Sequence, residues 1–380
     1  MRAPKISVLL SSYNHERYIS RTIESVLNQT YADFELIIVD DCSTDNSKAV
    51  IQSYTDPRIR AFFLNPNQGM GMAFNHSIKQ ATGEYLARID SDDFWALDKL
   101  EKQLAYMETH KETGACFSWV KLIDENENEV PASICERGQL FAARNRTQAE
   151  WLHQFYAKGC VLCHTSAFIR RSVLAEVGIY NYSLKQIQDL ELWTRIAKRY
   201  PLHVICEPLV YYRWFVSSAP NVSAPSQEVM TRGAMEFFYL LYDFHNNLPD
   251  ETFAAAFRQD FICRNAATHE ELLCERALLM LKQPYLGHSS KIIAILMLNR
   301  LLQEDKTRTI LSDTYGFTIK DYNALCAEKM FYDTPVAQVT DEQGKVFGEV
   351  TLKELVKKHL KRRPQLYSIV RKIYETTCKP

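Results

Sequence analysis

Three aspartates lie within four residues in the stretch Glu84-Tyr-Leu-Ala-Arg-Ile-Asp90-Ser-Asp92-Asp93. An apolar, β-prone run precedes them, so a strand would deliver three carboxylates to its carboxyl end. Like charges held this close raise one another's pKa unless a cation is present. Mg²⁺ and Mn²⁺ usually fill such sites, where they bridge protein carboxylates to substrate phosphates. The alternative is a helix N-terminus, where aspartates cap free N–H groups.

Other polar residues follow apolar runs of the same kind. Short runs typical of buried parallel strands alternate with segments of helical spacing. The predicted strands are residues 5–10, 34–39, 58–64 and 85–89, and the predicted helices are residues 18–29, 43–54 and 71–81. This alternation predicts an α/β fold with a parallel sheet, which binds ligands outside the carboxyl ends of its strands. Polar residues gather at that predicted edge: Ser11-Ser12-Tyr13-Asn14, Asp40-Asp41, 65–71 and 90–93.

Two other kinds of site are disfavoured by the motifs. Neither GxGxxG nor GxxxxGK[ST] follows the first predicted strand, which argues against dehydrogenases and P-loop proteins. Cys160-Val-Leu-Cys163-His164 matches the pattern for covalent haem attachment, but that chemistry requires an exported protein. A lone CxxC also lacks the second pair that a structural zinc site needs. We therefore expect neither haem nor zinc.

The composition indicates an ordinary globular protein. With 380 residues, of which 46% are hydrophobic and 24% charged, two domains are expected. The net charge of −1 provides no field that would attract nucleic acid. No apolar stretch reaches the roughly 18 residues of a membrane span, and the run at 6–10 is too short for a signal peptide. Together with scattered cysteines that suit reduced thiols, this predicts a cytoplasmic protein.

The remainder of the chain shows weaker patterns. We predict a hairpin at 119–131, helices at 168–177 and 187–198, and strands at 203–205 and 209–213. Residues 217–227 are rich in Ser, Ala and Pro and form the predicted domain boundary. Helical spacing follows, and then a predicted hairpin around residues 341–344 and a basic tail. The predicted domains are residues 1–220, a helical domain at 228–335, and a small hairpin with a basic helical tail at 336–380.

Five segments together resemble the family-two inverting glycosyltransferases, which have a GT-A fold. They are residues 6–14, 23–30, 34–41, 43–47 and 90–93, which read ISVLLSSYN, IESVLNQT, FELIIVDD, STDNS and DSDD. The resemblance covers about residues 4–215. It implies an α/β fold with a parallel-rich mixed sheet flanked by helices, to which the later helical spacing adds a mainly α-helical C-terminal region. It also implies inverting transfer of a sugar from a nucleotide-sugar donor to a hydroxyl of a glycan or lipid-linked glycan.

The resemblance implies a metal-assisted departure of the nucleoside diphosphate. Asp92 would ligate Mg²⁺ or Mn²⁺, Asp90 would help to hold the ribose and the metal-site geometry, and Asp93 would support the following turn. The bound cation stabilises the negative charge that the leaving group gains.

The resemblance also implies a nucleotide site at the ends of the first two strands. Its residues are Ser11, Tyr13, Asn14 and Asp41. Tyr13 would stack on the base, while Ser11 and Asp41 would hold its polar edge. Uracil presents an N–H group that can donate a hydrogen bond to Asp41, so the implied donor is a UDP-sugar.

An inverting displacement needs a base on the opposite face of the sugar, to take the proton of the acceptor hydroxyl. In the segment Gln188-Asp189-Leu-Glu191-Leu-Trp193, Asp189 falls on the family's base position. Gln188 replaces the usual Glu and removes a neighbouring charge, so we expect an ordinary carboxylate pKa for Asp189. A helix N-cap is the structural alternative for Asp189, and Glu191 is an alternative base.

Three positions differ from the family pattern or need interpretation. Phe215 stands where relatives often carry a metal-binding His, so a phosphate oxygen or water would complete the coordination. Phe74 stands where many relatives have Arg, and Arg88 is an available cation near the diphosphate. His164 aligns with a family pattern near the site, but a structural His fits equally well.

Two other functional classes are weighed against the enzyme. A non-catalytic nucleotide-sugar or glycan-binding protein would have the same fold, but Asp92 and Asp189 argue for catalysis. A nucleotidyltransferase would carry a Gly/Arg-rich triphosphate loop after the first strand, where this chain has Ser-Ser-Tyr-Asn.

Residues 351–380 carry nine Lys or Arg and two Glu, interleaved with apolar residues. Such a basic amphipathic segment can lie on an anionic membrane surface. It predicts peripheral association with the inner face of the membrane. The alternative is a solvated face of helices that pack on the second domain.

Overall fold

The computed structural model describes residues 2–131, 141–215, 226–283, 288–328, 335–340 and 346–351. The chain divides into two compact units. The first contains Met1–Ala224 and Tyr239–Asp260, and the second contains Pro225–Phe238 and Phe261–Pro380. Residues 239–260, which the sequence places in the helical domain, belong to the first unit because Phe244 and Phe257 pack on Tyr156.

The first unit is built on an eight-stranded sheet. Its strands are β1 Ile6–Ser12, β2 Phe34–Asp40, β3 Ile59–Phe63, β4 Tyr85–Asp90, β5 Phe94–Trp95, β6 Ala115–Ile123, β7 Phe168–Arg170 and β8 Leu202–Arg213. Their order across the sheet is β3-β2-β1-β4-β7-β6-β8-β5. Among the described strands of this sheet, β5 and β7 pair antiparallel with their neighbours, and the other pairings are parallel. Six strands therefore end at one edge, and the predicted parallel-rich mixed sheet is confirmed.

Helices of the first unit pack against this sheet. The first-unit helices up to β8 are α1 Ile19–Leu27, α2 Ser47–Gln52, α3 Met70–Gln80, α4 Lys99–Thr109, α5 Gln148–Lys158, α6 Arg171–Val177 and α7 Gln188–Ala197. Apolar residues of α1 and α4 form one buried cluster with β1, β2 and β4. All seven residues of β2 are buried, as expected for a central parallel strand.

Several predicted elements differ from the observed ones. Residues 168–170 form β7 rather than the start of a helix, because they pair with both β4 and β6. The two strands predicted at 203–205 and 209–213 are one strand, β8, whose register shifts near Pro208. The predicted hairpin at 119–131 is reduced to one bridge between Ile123 and Glu129, since β6 pairs mainly with β8.

The remaining elements are mostly helical, as predicted. They are α8 Gln227–Phe244, α9 Asp250–Phe257, α10 His269–Leu281, α11 His288–Gln303, α12 Asp305–Tyr315, α13 Ile319–Cys326, β9 Pro335–Thr340 and β10 Val346–Thr351. Leu278, Leu298 and Leu311 share a small core between α10, α11 and α12. Strands β9 and β10 pair antiparallel. The basic tail beyond Thr351 and the predicted domain boundary at 217–225 lie outside the described residues.

Among the described helices, none is both long enough and apolar enough to cross a membrane.

Candidate active site

The three aspartates lie at the carboxyl end of β4 and in the turn that follows it. Asp90 and Asp92 are partly exposed, whereas Asp93 is only 1% exposed. Burial raises the pKa of Asp92, as does the charge of Asp90, while His15 and Arg213 act in the opposite direction. Burial raises the pKa of Asp93 well above its ordinary value, and Asp92 and Asp90 add to this rise. Burial and the neighbouring carboxylates therefore favour the protonated forms of Asp92 and Asp93.

A hard divalent cation fits this donor set. Two partly exposed carboxylates, Asp90 and Asp92, lie near each other, and the charge of Asp90 raises the pKa of Asp92. Among the described residues, no three His, Cys, Asp or Glu side chains converge as a ready metal site. A cation here would therefore take part of its coordination from waters and substrate phosphates, which is the usual arrangement for Mg²⁺.

The turn that carries the aspartates is fixed by the end of β8. The backbone N–H of Arg213 donates to Oδ1 of Asp93 at 2.8 Å, and the Arg213 Nε donates to the Asp92 carbonyl oxygen at 2.8 Å. The same guanidinium lies over the Tyr18 ring, with 4.3 Å between its Cζ and the ring centroid. These contacts agree with a supporting role for Asp93. This role of Arg213 was not predicted from the sequence, and its place at the end of a predicted strand was the available signal.

The end of β1 brings the predicted nucleotide-site residues beside Asp90. Ser11 is the register neighbour of Asp90 in the sheet. Tyr13 is 47% exposed, so one ring face is available for stacking. Asn14 adopts a left-handed backbone with φ of 54°, and its side-chain oxygen accepts from the Thr44 N–H at 2.8 Å. Asn14 therefore joins the loops after β1 and β2.

Asp41 is buried and holds the loop that precedes α3. Its two carboxylate oxygens accept from the backbone N–H groups of Gln68 and Gly69, each at 2.7 Å. Its carbonyl oxygen accepts from the Asn67 side chain at 2.7 Å. Each carboxylate oxygen keeps a second lone pair. Asp41 therefore positions residues 65–69 in addition to any contact with a base.

Asp189 is the second residue of α7, and the N-cap of that helix is Ile187. The N-cap alternative for Asp189 is therefore not the arrangement observed. Its Oδ1 accepts from the Leu190 N–H at 2.8 Å. Burial raises the pKa of Asp189, while the Leu190 N–H and the Arg88 charge oppose the rise. The expectation of an ordinary pKa for Asp189 was wrong. Gln188 removes a negative charge that would raise this pKa, but burial of the Asp189 carboxyl raises it nonetheless.

Glu191 is committed to an ion pair. Its two carboxylate oxygens accept from Nε and Nη2 of Arg195 at 2.7 and 2.8 Å. Arg195 in turn donates to the carbonyl oxygens of Gly178 and Ile179 at 3.0 and 2.8 Å. Glu191 therefore anchors the segment between α6 and α7, which leaves Asp189 as the freer carboxylate.

The starts of α3 and α7 meet closely at a glycine. Gln188 is buried, and a Cβ added at Gly71 would lie 2.6 Å from its Oε1. The absence of a side chain at Gly71 therefore allows the starts of the two helices to approach each other.

Arg88 and the residues around it lie between the two carboxylate sites. Its Nη2 donates to Oδ1 of Asp90 at 2.9 Å, and its guanidinium lies 3.7 Å from the Phe74 ring centroid. The Tyr180 hydroxyl lies 3.4 Å from Nη1 of Arg88 and 2.7 Å from Nε2 of His164. Burial lowers the pKa of His164 well below its ordinary value, with a smaller effect from Arg88, so His164 is a neutral partner of Tyr180.

Phe215 and His15 occupy the other side of the aspartates. Phe215 packs on Tyr18, with ring centroids 5.7 Å apart. The Nδ1 atom of His15 lies 2.7 Å from the Ser91 hydroxyl, next to Asp92. His15 was not predicted from the sequence, although it directly follows the Ser-Ser-Tyr-Asn segment.

Cys160 and Cys163, which attracted attention in the sequence, are both free thiols. Cys163 is buried, whereas Cys160 is partly exposed and its thiol donates to the Leu162 carbonyl oxygen at 3.4 Å. Burial and the nearby charge of Asp189 raise the pKa of Cys160, so this thiol belongs to the surroundings of the candidate base.

Residues 7–178 match the protein family described as glycosyl transferase family 2. The chain is 47% identical over 213 residues to a putative teichuronic acid biosynthesis glycosyltransferase, TuaG, of Bacillus subtilis, covering 55% of this chain and 79% of that one. It is 41% identical over 102 residues to WfgD of Escherichia coli, a UDP-Glc:alpha-D-GlcNAc-diphosphoundecaprenol beta-1,3-glucosyltransferase, covering 27% and 40% of the two chains.

The fold is also similar to solved structures. S. aureus TarS 1–349 in complex with UDP-GlcNAc has a TM-score of 0.50 and 19% identity, and the match covers 91% of this chain and 99% of that one. At this identity the likeness concerns the fold alone. The relatives establish the family more directly, since TuaG is matched over most of its length. The chain is therefore a glycosyltransferase with a GT-A fold and belongs to glycosyltransferase family 2.

Proposed function

We propose that this glycosyltransferase moves a sugar, with inversion, from a UDP-sugar to a hydroxyl of a glycan or lipid-linked glycan. The observation that carries the proposal is the convergence of two carboxylate sites around one guanidinium. Arg88 bonds to Asp90 at the end of β4, and its charge also acts on Asp189 at the start of α7. A donor at the sheet edge would then have a leaving-group site and a base within one polar region.

The donor would bind at the ends of β1, β2 and β4. Tyr13 stacks on the base with its exposed ring, and Asp41 accepts from the base N–H. Ser11 and Asn14 line the same site, and Asp90 holds the ribose. The uridine nucleotide is supported by the names of WfgD, which uses UDP-Glc, and of the TarS complex, which contains UDP-GlcNAc.

Mg²⁺ or Mn²⁺ would be held by Asp92, with Asp90 fixing the geometry around it. When bound, the cation supplies positive charge that stabilises the departing diphosphate. The chain's own contribution is to hold Asp92 rigidly, through the contact of its carbonyl oxygen with Arg213.

Asp189 would take the proton of the acceptor hydroxyl. Its carboxylate accepts from the Leu190 N–H, which helps to keep one orientation for the incoming hydroxyl. Because burial raises the pKa of Asp189, the ionised carboxylate is a stronger base than an exposed aspartate. The preorganised base and the donor site together account for an inverting displacement.

The acceptor class rests on the relatives' names. TuaG is named for teichuronic acid biosynthesis, and WfgD acts on a diphosphoundecaprenol-linked sugar. An acceptor of this kind would place the enzyme at the cytoplasmic face of the membrane, which also suits the basic segment 351–380.

The proposal is tested by measuring nucleoside diphosphate release from a set of UDP-, GDP- and TDP-sugars, with and without a glycan acceptor. We expect release from a UDP-sugar, and the anomeric configuration of the product, measured by NMR, should be inverted. Retention of configuration would overturn the inverting mechanism. Preference for a GDP- or TDP-sugar would overturn the uridine assignment but not the transfer itself.

A further inference from the structure

Arg88 combines deep burial with incomplete hydrogen bonding. Only 2% of its side chain is exposed, yet Asp90, with which it forms an ion pair, is 26% exposed. Its Nε is buried and has no hydrogen-bond partner among the described residues. Charged groups are rarely buried without full pairing, because desolvation disfavours them. A buried guanidinium with a spare donor beside a ligand site therefore needs a functional explanation.

The surroundings of Arg88 hold it in one place. The ring of Phe74 forms a platform beneath the guanidinium at 3.7 Å. Tyr180 stands beside it, and both backbone polar groups of Tyr180 bond to the Asn75 side chain, at 2.8 and 3.0 Å. The His164 ring fixes the Tyr180 hydroxyl from the other side. The positive charge is thus set rigidly behind Asp90.

The electrostatic problem of the site explains why such a charge is needed. A nucleoside diphosphate is an anion, and it must bind beside the carboxylates of Asp90 and Asp92. One metal ion offsets only part of that charge, and opposite charges in a low-dielectric site interact strongly. Arg88 neutralises Asp90 from the protein side, where no solvent screens it.

We infer that Arg88 is a positioning residue that holds and neutralises Asp90, so that the aspartate cluster accepts the diphosphate of the donor. This inference rests on the proposed function. Arg88, on β4, would supply the positive charge near the donor that Phe74 cannot provide. The contribution of Arg88 should therefore grow with the negative charge of the ligand.

The test compares binding of uridine, UMP and UDP by calorimetry, in wild type and in Arg88→Met, with Mg²⁺ present. We expect affinity for UDP to fall about 10- to 30-fold, affinity for UMP about 3-fold, and affinity for uridine very little, as for the loss of one nearby charge. An equal loss for all three ligands would show a structural role and overturn the inference. No change for UDP would overturn it as well.

Two further variants separate charge from folding. Arg88→Lys keeps the charge and should keep the wild-type ratio of UDP to UMP affinity, even if Arg88→Met is unstable. The double variant Phe74→Arg with Arg88→Met returns a cation to the same place and should recover part of the UDP affinity. A Lys variant that loses the ratio while remaining folded would overturn the role of the charge.

Arg60 lies away from the aspartates and forms an ion pair with Glu35, in which Nη1 and Oε2 are 2.6 Å apart. The matched control is Arg60→Met, which removes this cation. It should leave all three affinities unchanged. If wild type binds uridine, UMP and UDP with equal affinity, the inference is wrong while a uridine site stands. If wild type binds none of them, the proposed donor is wrong, and the inference fails with it.

Discussion

The backbone N–H of Arg213 donates a hydrogen bond to Oδ1 of Asp93 at 2.8 Å, although 120 positions separate the two residues. Asp93 is 1% exposed, so this amide is a main source of stabilisation for its carboxyl group. The contact joins the end of β8 to the turn after β4. The geometry of the aspartate cluster therefore depends on a late strand as well as on its own sequence.

The first prediction concerns Asp93→Asn. Because burial raises the pKa of Asp93, the folded protein keeps the proton to a higher pH than the unfolded chain does. The free energy of unfolding should therefore fall as the pH rises from the ordinary Asp pKa through the raised one. Asn still accepts from the Arg213 N–H but cannot ionise. Without metal, the variant should lose less stability than wild type over this range.

The measurement is the thermal unfolding midpoint across pH in EDTA. Asp56→Asn is a control of opposite sign, because the hydrogen bonds from Arg58 hold the pKa of Asp56 below its ordinary value. Its stability relative to wild type should fall as the pH rises. Parallel pH curves for wild type and Asp93→Asn would contradict the prediction.

The second prediction concerns the proposed metal ligand. Asp92→Ala removes a carboxylate from the leaving-group site, so transfer should fall by about 10²-fold or more, as when a transition-state charge loses its stabilisation. The midpoint of thermal unfolding should not fall, since the Asp92 side chain carries like-charge repulsion and its carbonyl contact with Arg213 is kept. Mn²⁺ affinity, followed by electron paramagnetic resonance, should fall with activity.

Asp98→Ala is the matched control, because Asp98 is a surface residue paired with Lys102. It should keep both transfer and Mn²⁺ affinity. If Asp92→Ala, or wild type in EDTA, turns over at nearly the wild-type rate, the metal role of Asp92 is wrong.

The sequence predicted those elements whose burial is visible along a single strand. All seven residues of β2 are buried, and its unbroken apolar run made it easy to recognise. Helix α4 was missed because its inner face carries Lys99 and Gln103, both fully buried, whose side chains bond at 2.7 Å. This polar pair interrupts the apolar spacing on which helix prediction depends. Only the surrounding tertiary structure makes such a face an interior one.

In the candidate site as well, features visible along one strand were predictable, and features set by tertiary packing were not. The aspartates after β4 are visible because an apolar run ends in charges. The burial of Arg88 on Phe74 was not visible, since it depends on how α3 packs against the sheet. The same holds for Asp41, whose contacts with Gln68 and Gly69 bring together residues that are distant in the chain.

The third prediction concerns the proposed base. Asp189→Asn keeps the size of the side chain and can still accept from the Leu190 N–H, but it cannot take a proton. UDP binding should survive, while transfer should fall by about 10²- to 10⁴-fold, the range for loss of a general base. A transfer assay beside calorimetric UDP binding decides the matter. Loss of binding together with activity would indicate a structural role.

Glu191→Gln is the informative comparison for that variant. Since Glu191 pairs with Arg195 through both oxygens, its neutralisation should lower the thermal unfolding midpoint and leave turnover near the wild-type value. The opposite result, with Glu191→Gln inactive and Asp189→Asn active, would identify Glu191 as the base.

The last prediction concerns the basic tail, residues 351–380. Each cation near an anionic membrane surface contributes about 1 kcal/mol, so a cluster of them should bind anionic vesicles in a salt-dependent way. We expect the protein to sediment with phosphatidylglycerol vesicles at low salt, to be released at high salt, and to ignore phosphatidylcholine vesicles. Changing Lys357, Lys358 and Lys361 to Gln should weaken binding, whereas changing Lys48, Lys79 and Lys111 in the first unit removes the same charge and should not. Failure to bind either vesicle at low salt would rule out the membrane role and favour a structural one.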